Sequence, residues 1–257
     1  MFPYLEFRPI EFGVLSLSAV RGMLAVAILT GYFLVRERAR RRRLDVRLAS
    51  RLVLAMLGFG FTGAHVFKAA YFDLPDFNFM TIVNAVSGMA SFGGIFGGIG
   101  GAAWYLRRRG LDLQQALTYL DAVAFVFPCA WVFGRFSCYL AHDHPGVRTE
   151  SWLGVQYPGG TRFDLGLIEV FFMLGVVATF QILDRWRRPA GFYLSTFLVI
   201  YGTFRLALDQ LHITVNRYWG WSVDQWASAA AIGLGLLALR PLRKKRLEKT
   251  RLTEELA

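Results

Sequence analysis

The chain has 257 residues, of which 55% are hydrophobic, 16% aromatic and only 18% charged, against about 25% charge in an ordinary soluble domain. That composition excludes a soluble globular protein over most of its length. The formal net charge of +11 does not point to nucleic acid, because the basic residues fall in short runs between apolar stretches, a layout suited to a polytopic membrane protein facing anionic headgroups.

Met1–Phe12 carries Glu6, Arg8, Pro9 and Glu11 rather than a basic start and a short apolar core, so it does not read as a cleavable signal peptide. A membrane span needs about 20 mostly apolar residues. Seven segments qualify, near 14–35, 50–71, 81–105, 115–138, 164–183, 191–212 and 221–239. The expected fold is all-α, a single membrane domain over 1–257 with about seven transmembrane helices, and 240–257 as a basic tail. Basic runs begin at Arg36, Arg107, Arg185 and Arg240, after spans one, three, five and seven. By the positive-inside rule these four runs share the cytoplasmic side. The N-terminus is then outside and the C-terminus cytoplasmic.

Arg21, Arg135 and Arg205 interrupt apolar stretches. Each costs roughly 2.5–3.5 kcal/mol at a helix centre on insertion scales, so an intramembrane arginine marks a function by default. His65 and Lys68 sit at the outer end of span two. In span three, Gly93/Gly97 and Gly94/Gly98 make a small-residue stripe suited to tight helix packing, with room for a lipid as the second reading. Span four contains both cysteines, Cys129 and Cys138. Nine helical residues separate them by roughly 13 Å, beyond the roughly 7 Å limit for a disulfide, so both read as free thiols.

Span four ends Gly134-Arg135-Phe-Ser-Cys138 and leads to His142-Asp143-His144-Pro-Gly146. The glycine before Arg135 permits a close helix approach. A metal site at His142 and His144 is not expected, because no further ligand has suitable spacing. Span six reads Tyr201-Gly-Thr-Phe-Arg205-Leu-Ala-Leu-Asp209, and steps of four put Tyr201, Arg205 and Asp209 on one helical face. Either Arg205 and Asp209 neutralise each other, or Arg205 binds phosphate while Asp209 orients it and Tyr201 donates a hydrogen bond.

Ser91–Gly98, Gly134–Gly146 and Tyr201–Asp209, in this order and spacing, resemble the bacterial prolipoprotein diacylglyceryl transferases. The likeness extends to Gly22, Asp121 and Glu169. It implies a multi-pass enzyme of the bacterial inner membrane, acting in lipoprotein biosynthesis without a cofactor. The reaction moves a diacylglyceryl group from phosphatidylglycerol to the lipobox cysteine of a preprolipoprotein and releases glycerol phosphate. On this resemblance Arg135 and Arg205 are the functional arginines and Tyr201 assists. Asp143 stands where the family usually has glutamate, and Gly146 matches the glycine after it. Ser91, Gly93, Gly94, Gly134 and Asp209 fall within the matching segments. Glu169 reads as a packing or arginine-orienting carboxylate.

The departures bear on the chemistry. Phe92 occupies the place of the family's glycine-motif histidine, and Ser137 and Cys138 replace a glycine and an asparagine. The Phe163–Glu169 segment keeps only the leucine and glutamate of the family element, and Arg21 stands at a family tyrosine. A thiol of pKa about 8.5 needs only modest activation, so a guanidinium field or a relocated base among His65, His142 and His144 would serve. Arg21 reads as an added phosphate ligand or as a partner of Glu169 or Asp164. The competing reading is a non-catalytic paralogue that binds anionic phospholipid or lipoprotein precursors.

Overall fold

The structure, a computed structural model, describes residues 1–5, 10–12, 15–71, 91–213 and 217–255. It is mostly helical and divides into two compact units, Tyr32–Tyr119 and the combination of Met1–Gly31 with Leu120–Ala257. Four of its helices are long and apolar enough to cross a membrane, Ala19–Arg41, Val46–Lys68, Leu113–Ala141 and Leu165–Leu183.

Within the first unit, α2 (Val46–Tyr71) packs along α3 (Ser91–Arg108). Asp45 starts α2 by accepting hydrogen bonds from the backbone N–H groups of Arg47 (2.7 Å) and Leu48 (3.2 Å), filling acceptor positions the first turn cannot supply itself. The α2–α3 seam is a backbone-to-backbone contact through glycine. A Cβ on Gly93 would collide with the Gly63 carbonyl oxygen, one on Gly97 with the Phe59 carbonyl oxygen, and one on Gly101 would lie 2.7 Å from the Ala55 carbonyl oxygen. The stripe therefore carries its packing role, and α2 occupies the space beside Gly93. Gly94 makes only ordinary contact, 3.7 Å to the Ala64 Cβ.

The second unit begins with a short antiparallel hairpin, β1 (Ile10–Phe12) with β2 (Leu15–Leu17), followed by α1 (Ala19–Arg41), whose last residues belong to the first unit. Helix α4 (Leu113–Ala141) enters it from Leu120 onward. Between α4 and α5 (Leu165–Leu183) lies an antiparallel sheet of β3 (Pro145–Arg148), β4 (Gly154–Tyr157) and β5 (Gly160–Asp164) in the order β3-β5-β4. Gly159 and Gly160 turn the β4–β5 hairpin at φ 91° and 125°, values open to glycine and strained for other residues. The N-terminal residues lie against this sheet: Phe2 donates its N–H to the Gly154 carbonyl (2.8 Å) and accepts from Gln156 N (3.1 Å).

Helix α6 (Phe192–Leu208) passes through a 3-10 turn (Asp209–Leu211) to a small hairpin, β6 (Arg217–Tyr218) with β7 (Trp221–Ser222), and then to α7 (Val223–Glu255). The capping residue of α6 is Gly191, which has no side chain to offer; buried Asp121 on α4 instead accepts from Leu194 N at 2.9 Å. Ser222 and Gln225 form a capping box on α7, Gln225 N to Ser222 Oγ and Ser222 N to Gln225 Oε1, each at 3.0 Å. Small residues set the α6–α7 distance, since a Cβ on Gly202 would lie 2.9 Å from the Ser228 carbonyl oxygen and one on Gly235 would lie 2.8 Å from that of Ser195.

Several expectations are corrected. The chain is not purely helical, because the connection after span four pairs into a sheet. The first helix runs over Ala19–Arg41 rather than 14–35, since residues 15–17 form a strand. The sixth stops at Leu208, where the chain tightens into the 3-10 turn, and the basic segment after 240 continues α7 to Glu255. Positions 81–90 of the third expected span lie outside the described residues.

The glycine seam makes a contrast that can be measured. Gly93→Val should lower the apparent Tm in detergent by roughly 5 °C, as overpacking costs about 1–3 kcal/mol. Gly100→Ala, with nothing within 4 Å of the new Cβ, should leave it unchanged. Equal thermal scans of both variants would remove the seam as a source of stability.

Candidate functional site

Helices α4 and α6 carry the same pattern, an aromatic ladder ending in arginine four residues on: Phe127-Trp131-Arg135 and Phe197-Tyr201-Arg205. Steps of four stack these side chains on one helical face. The two ladders meet, with Phe127 edge-on to Phe197 at 5.3 Å, Phe127 stacked on Trp131 at 5.0 Å and Phe197 on Tyr201 at 5.4 Å. This aromatic base puts both arginines at the same end of the helix pair.

Glu169, one turn into α5 and 1% exposed, joins them. Its Oε1 accepts hydrogen bonds from Trp131 Nε1 (2.8 Å) and from the Tyr201 hydroxyl (2.9 Å). Arg135 Nε lies 2.9 Å from the same oxygen. That contact is an ion pair and not a directed hydrogen bond, because Arg135 Nε has no hydrogen-bond partner among the described residues. Arg205 Nη1 reaches Oε2 at 3.4 Å, and its Nη2 donates to Asp224 Oδ2 at 3.0 Å. The Trp131 ring lies 5.0 Å from the Arg135 guanidinium carbon, within cation–π range. The side chains of Arg135 and Arg205 are 14% and 12% exposed; charges so far from water persist only when paired and hydrogen-bonded.

Glycine again makes the approach possible. A Cβ on Gly166 would lie 3.0 Å from Tyr139 N and 3.2 Å from the Arg135 carbonyl oxygen, so its absence lets the start of α5 rest on the end of α4 and brings Glu169 under Arg135. Gly134 does not have that role, since a Cβ there would meet only the Trp131 ring at 3.9 Å. The expected close helix approach belongs to Gly166. Gly146 is wedged in another way: it bridges to His212, and a Cβ would stand 2.9 Å from the Leu211 carbonyl oxygen. It thereby fastens the segment after α6 to the sheet.

The remaining sequence-derived residues divide. Asp209 does not neutralise Arg205. Its Oδ2 accepts from Ser222 Oγ at 3.0 Å, while its buried Oδ1 has no hydrogen-bond partner among the described residues. Glu169 and Asp224 hold the arginine instead, and the Tyr201 hydroxyl is given to Glu169. His142 is enclosed by the N-terminal segment, stacked on Tyr4 at 3.8 Å, with Nε2 3.0 Å from the Leu5 carbonyl oxygen and Nδ1 3.7 Å from Asp164 Oδ2. Asp164 caps α5 through Leu167 N (2.9 Å) and accepts from the Tyr157 hydroxyl (2.5 Å). Burial holds the Asp164 carboxyl above its usual range, and burial together with that carboxylate pushes the Tyr157 phenol up.

Asp143 pairs with His144 rather than with an arginine. Cys138 Sγ, which lies near that pair, is 3.9 Å from Arg135 Nη1. Cys138 and Cys129 are free thiols. Arg21 is exposed and its N–H is donated to Ser18 Oγ at 3.3 Å; the described ion pairs of Glu169 run to Arg135 and Arg205. His65 lies in the other unit, buried edge-on to Phe61 at 4.6 Å, with its Nε2 unpartnered among the described residues. The backbone of Ser91 opens α3.

Sequence reasoning missed Trp131 and Asp224. One ring nitrogen of His212 and one carboxylate oxygen each of Asp209 and Asp224 lie within 4.8 Å of one another. Burial first, then Arg205, push the His212 imidazole below its usual value. In this group the Arg205 guanidinium already balances Asp224, and in the one formed by Cys138, Asp143 and His144 the carboxylate is paired with the imidazole. We assign neither to a metal.

The family profile described as prolipoprotein diacylglyceryl transferase matches residues 10–240. Similar curated proteins are named phosphatidylglycerol–prolipoprotein diacylglyceryl transferase. One from Frankia casuarinae is 27% identical over 250 residues, covering 91% of this chain and 60% of that protein. One from Leifsonia xyli subsp. xyli is 29% identical, covering 60% of this chain and 49% of the relative. A third, from Helicobacter pylori, is 30% identical, covering 46% and 41%. The chain thus spans about half the length of the curated relatives it matches.

The shared carboxylate predicts a coupled energetic response. Glu169→Gln should destabilise the protein by about 3 kcal/mol or more, because it strands buried guanidinium charge. Adding Arg135→Met should return part of the loss, giving a coupling of about 1 kcal/mol or more in a double-mutant cycle. Simple additivity in denaturant titrations would dissolve the proposed pairing.

Proposed function

The chain belongs to the prolipoprotein diacylglyceryl transferase family, and on that premise we propose that it transfers a diacylglyceryl group from phosphatidylglycerol to the lipobox cysteine thiol of preprolipoproteins. The observation that carries this reading is the convergence of Arg135 and Arg205 on Glu169 in a buried polar cluster. The rest of the assignment follows the same premise. We read residues 1–257 as one membrane domain of about seven spans, N-terminus outside and C-terminus cytoplasmic, in the bacterial inner membrane, with the arginine pair toward the outer face. Phosphatidylglycerol and lipobox segments are its partners.

The charge balance suits the reaction. Arg135, Arg205, Glu169 and Asp224 sum to zero, and Asp224 is the more exposed carboxylate, 31% against 1% for Glu169. A phosphodiester can therefore replace Asp224 at Arg205 Nη2 while Glu169 keeps both guanidiniums in position. The substrate sulfur, as thiolate, attacks the diacylglyceryl carbon. The C–S bond forms, the C–O bond breaks, and its electron pair leaves on the phosphate oxygen of glycerol phosphate. The phosphate goes from one negative charge to two. Fixed guanidiniums stabilise that added charge without reorganising, the usual basis of large electrostatic rate effects. Tyr201 and Trp131 act through Glu169 as positioning residues.

A non-catalytic lipid binder draws support from Phe92 in the glycine motif and from arginines already held by carboxylates. Transfer decides between the two. In a mass-shift assay with phosphatidylglycerol vesicles and a lipobox peptide, Arg135→Ala and Arg205→Ala should each lower turnover at least about 100-fold. Each should also fail to rescue a strain depleted of its own transferase. Wild-type turnover in either variant overturns the site; a folded parent chain that binds the lipid and transfers nothing supports the binder.

A further inference from the structure

The thiol must give up its proton for a thioether to form, and among the described residues the groups of the cluster around Glu169 are already engaged with one another. Glu169 is bound to two guanidiniums, an indole and a phenol. His142 is closed in by Tyr4 and Leu5, and His144 is paired with Asp143. His65 belongs to the other unit, where its Nε2 is also without a hydrogen-bond partner among the described residues.

Next to Arg205 there are two unsatisfied polar atoms. His212 Nε2 and Asp209 Oδ1 are both buried, and neither has a hydrogen-bond partner among the described residues. Buried polar atoms left without partners are costly at rest, and the two residues are neighbours, since one ring nitrogen of His212 lies within 4.8 Å of a carboxylate oxygen of Asp209 and of Asp224. The fold holds this arrangement firmly. The 3-10 turn ties His212 N to the Asp209 carbonyl at 3.2 Å, Gly146 bridges His212 to the sheet, and Ser222 fixes the other oxygen of Asp209.

We infer that His212 is the proton acceptor for the incoming thiol, with Asp209 and Asp224 stabilising the imidazolium that forms. The inference rests on the transfer reading above. The S–H proton passes to His212 Nε2, the freed electron pair on sulfur makes the C–S bond, and the glycerol phosphate dianion departs. The imidazolium then releases its proton to water. The charged and titratable groups facing His212 are Arg205 from α6, Asp209 from the turn, Asp224 from α7 and His144 from the segment before β3. Burial and Arg205 disfavour the charged ring, while the two carboxylates favour it. This division of labour is the one expected of a general base.

The test uses the full chain with phosphatidylglycerol vesicles and a lipobox peptide. His212→Gln and His212→Asn should lower kcat at pH 7 by about 100-fold or more, with KM for phosphatidylglycerol changed less than about threefold. The wild-type rate should fall as pH drops through the imidazole value. The variants should lose that limb and gain rate toward pH 9 as the thiol ionises unaided, and imidazole should restore part of the rate of His212→Gly. Full turnover in a folded variant overturns the assignment. So does a loss confined to KM, which would make His212 a headgroup ligand. If the wild-type chain itself transfers nothing, the transfer reading fails and takes this inference with it.

Discussion

A single buried carboxylate organises this protein. Glu169 sits where α4, α5 and α6 meet, and its two oxygens face a guanidinium from each of two helices together with an indole and a phenol. Two arginines cannot be held close in a medium of low dielectric without an anion between them. Glu169 supplies it. The neighbouring constraints serve that contact: Gly166 lets α5 close on α4, Asp121 caps α6, and Gly202 brings α7 near enough for Asp224 to take the second face of Arg205.

The arrangement separates holding from reacting. The inner carboxylate is fully enclosed and fixes geometry, while the outer one, Asp224, is exposed enough to yield to an incoming anion. On the proposed transfer reading, guanidiniums fixed in this way would meet a developing dianion with little rearrangement, which is the physical content of preorganisation. Phe172 stacks on Phe204 at 3.7 Å, and the two aromatic ladders continue along α4 and α6.

Much of this was legible in the sequence because charge inside an apolar run is conspicuous. Arg135 and Arg205 stood out for that reason, and Glu169 read as a packing or arginine-orienting carboxylate; it forms ion pairs with both arginines. Asp224 did not stand out, since an acid in the first turn of a helix is ordinary and its partner lies 19 positions earlier. Trp131 was hidden among apolar neighbours, although the repeated spacing Phe127-Trp131-Arg135 and Phe197-Tyr201-Arg205 was there to be seen. Asp209 was assigned to Arg205 on helical periodicity, but α6 ends at Leu208 and the tighter turn directs the carboxylate to Ser222. The sheet between α4 and α5 was missed because its strands are only four or five residues long and carry little alternation.

The way Met1–Leu5 is seated has a consequence for biosynthesis. Phe2 pairs with Gly154 and Gln156, Pro3 accepts from the Tyr139 hydroxyl, and the Leu5 carbonyl meets His142. Every one of these partners is made well over a hundred residues later. These residues must therefore wait until α4 and the sheet have been made before they can dock, and closing so long a loop makes them late arrivals in maturation. The sheet beside the arginine cluster is complete only when this much earlier segment returns to it.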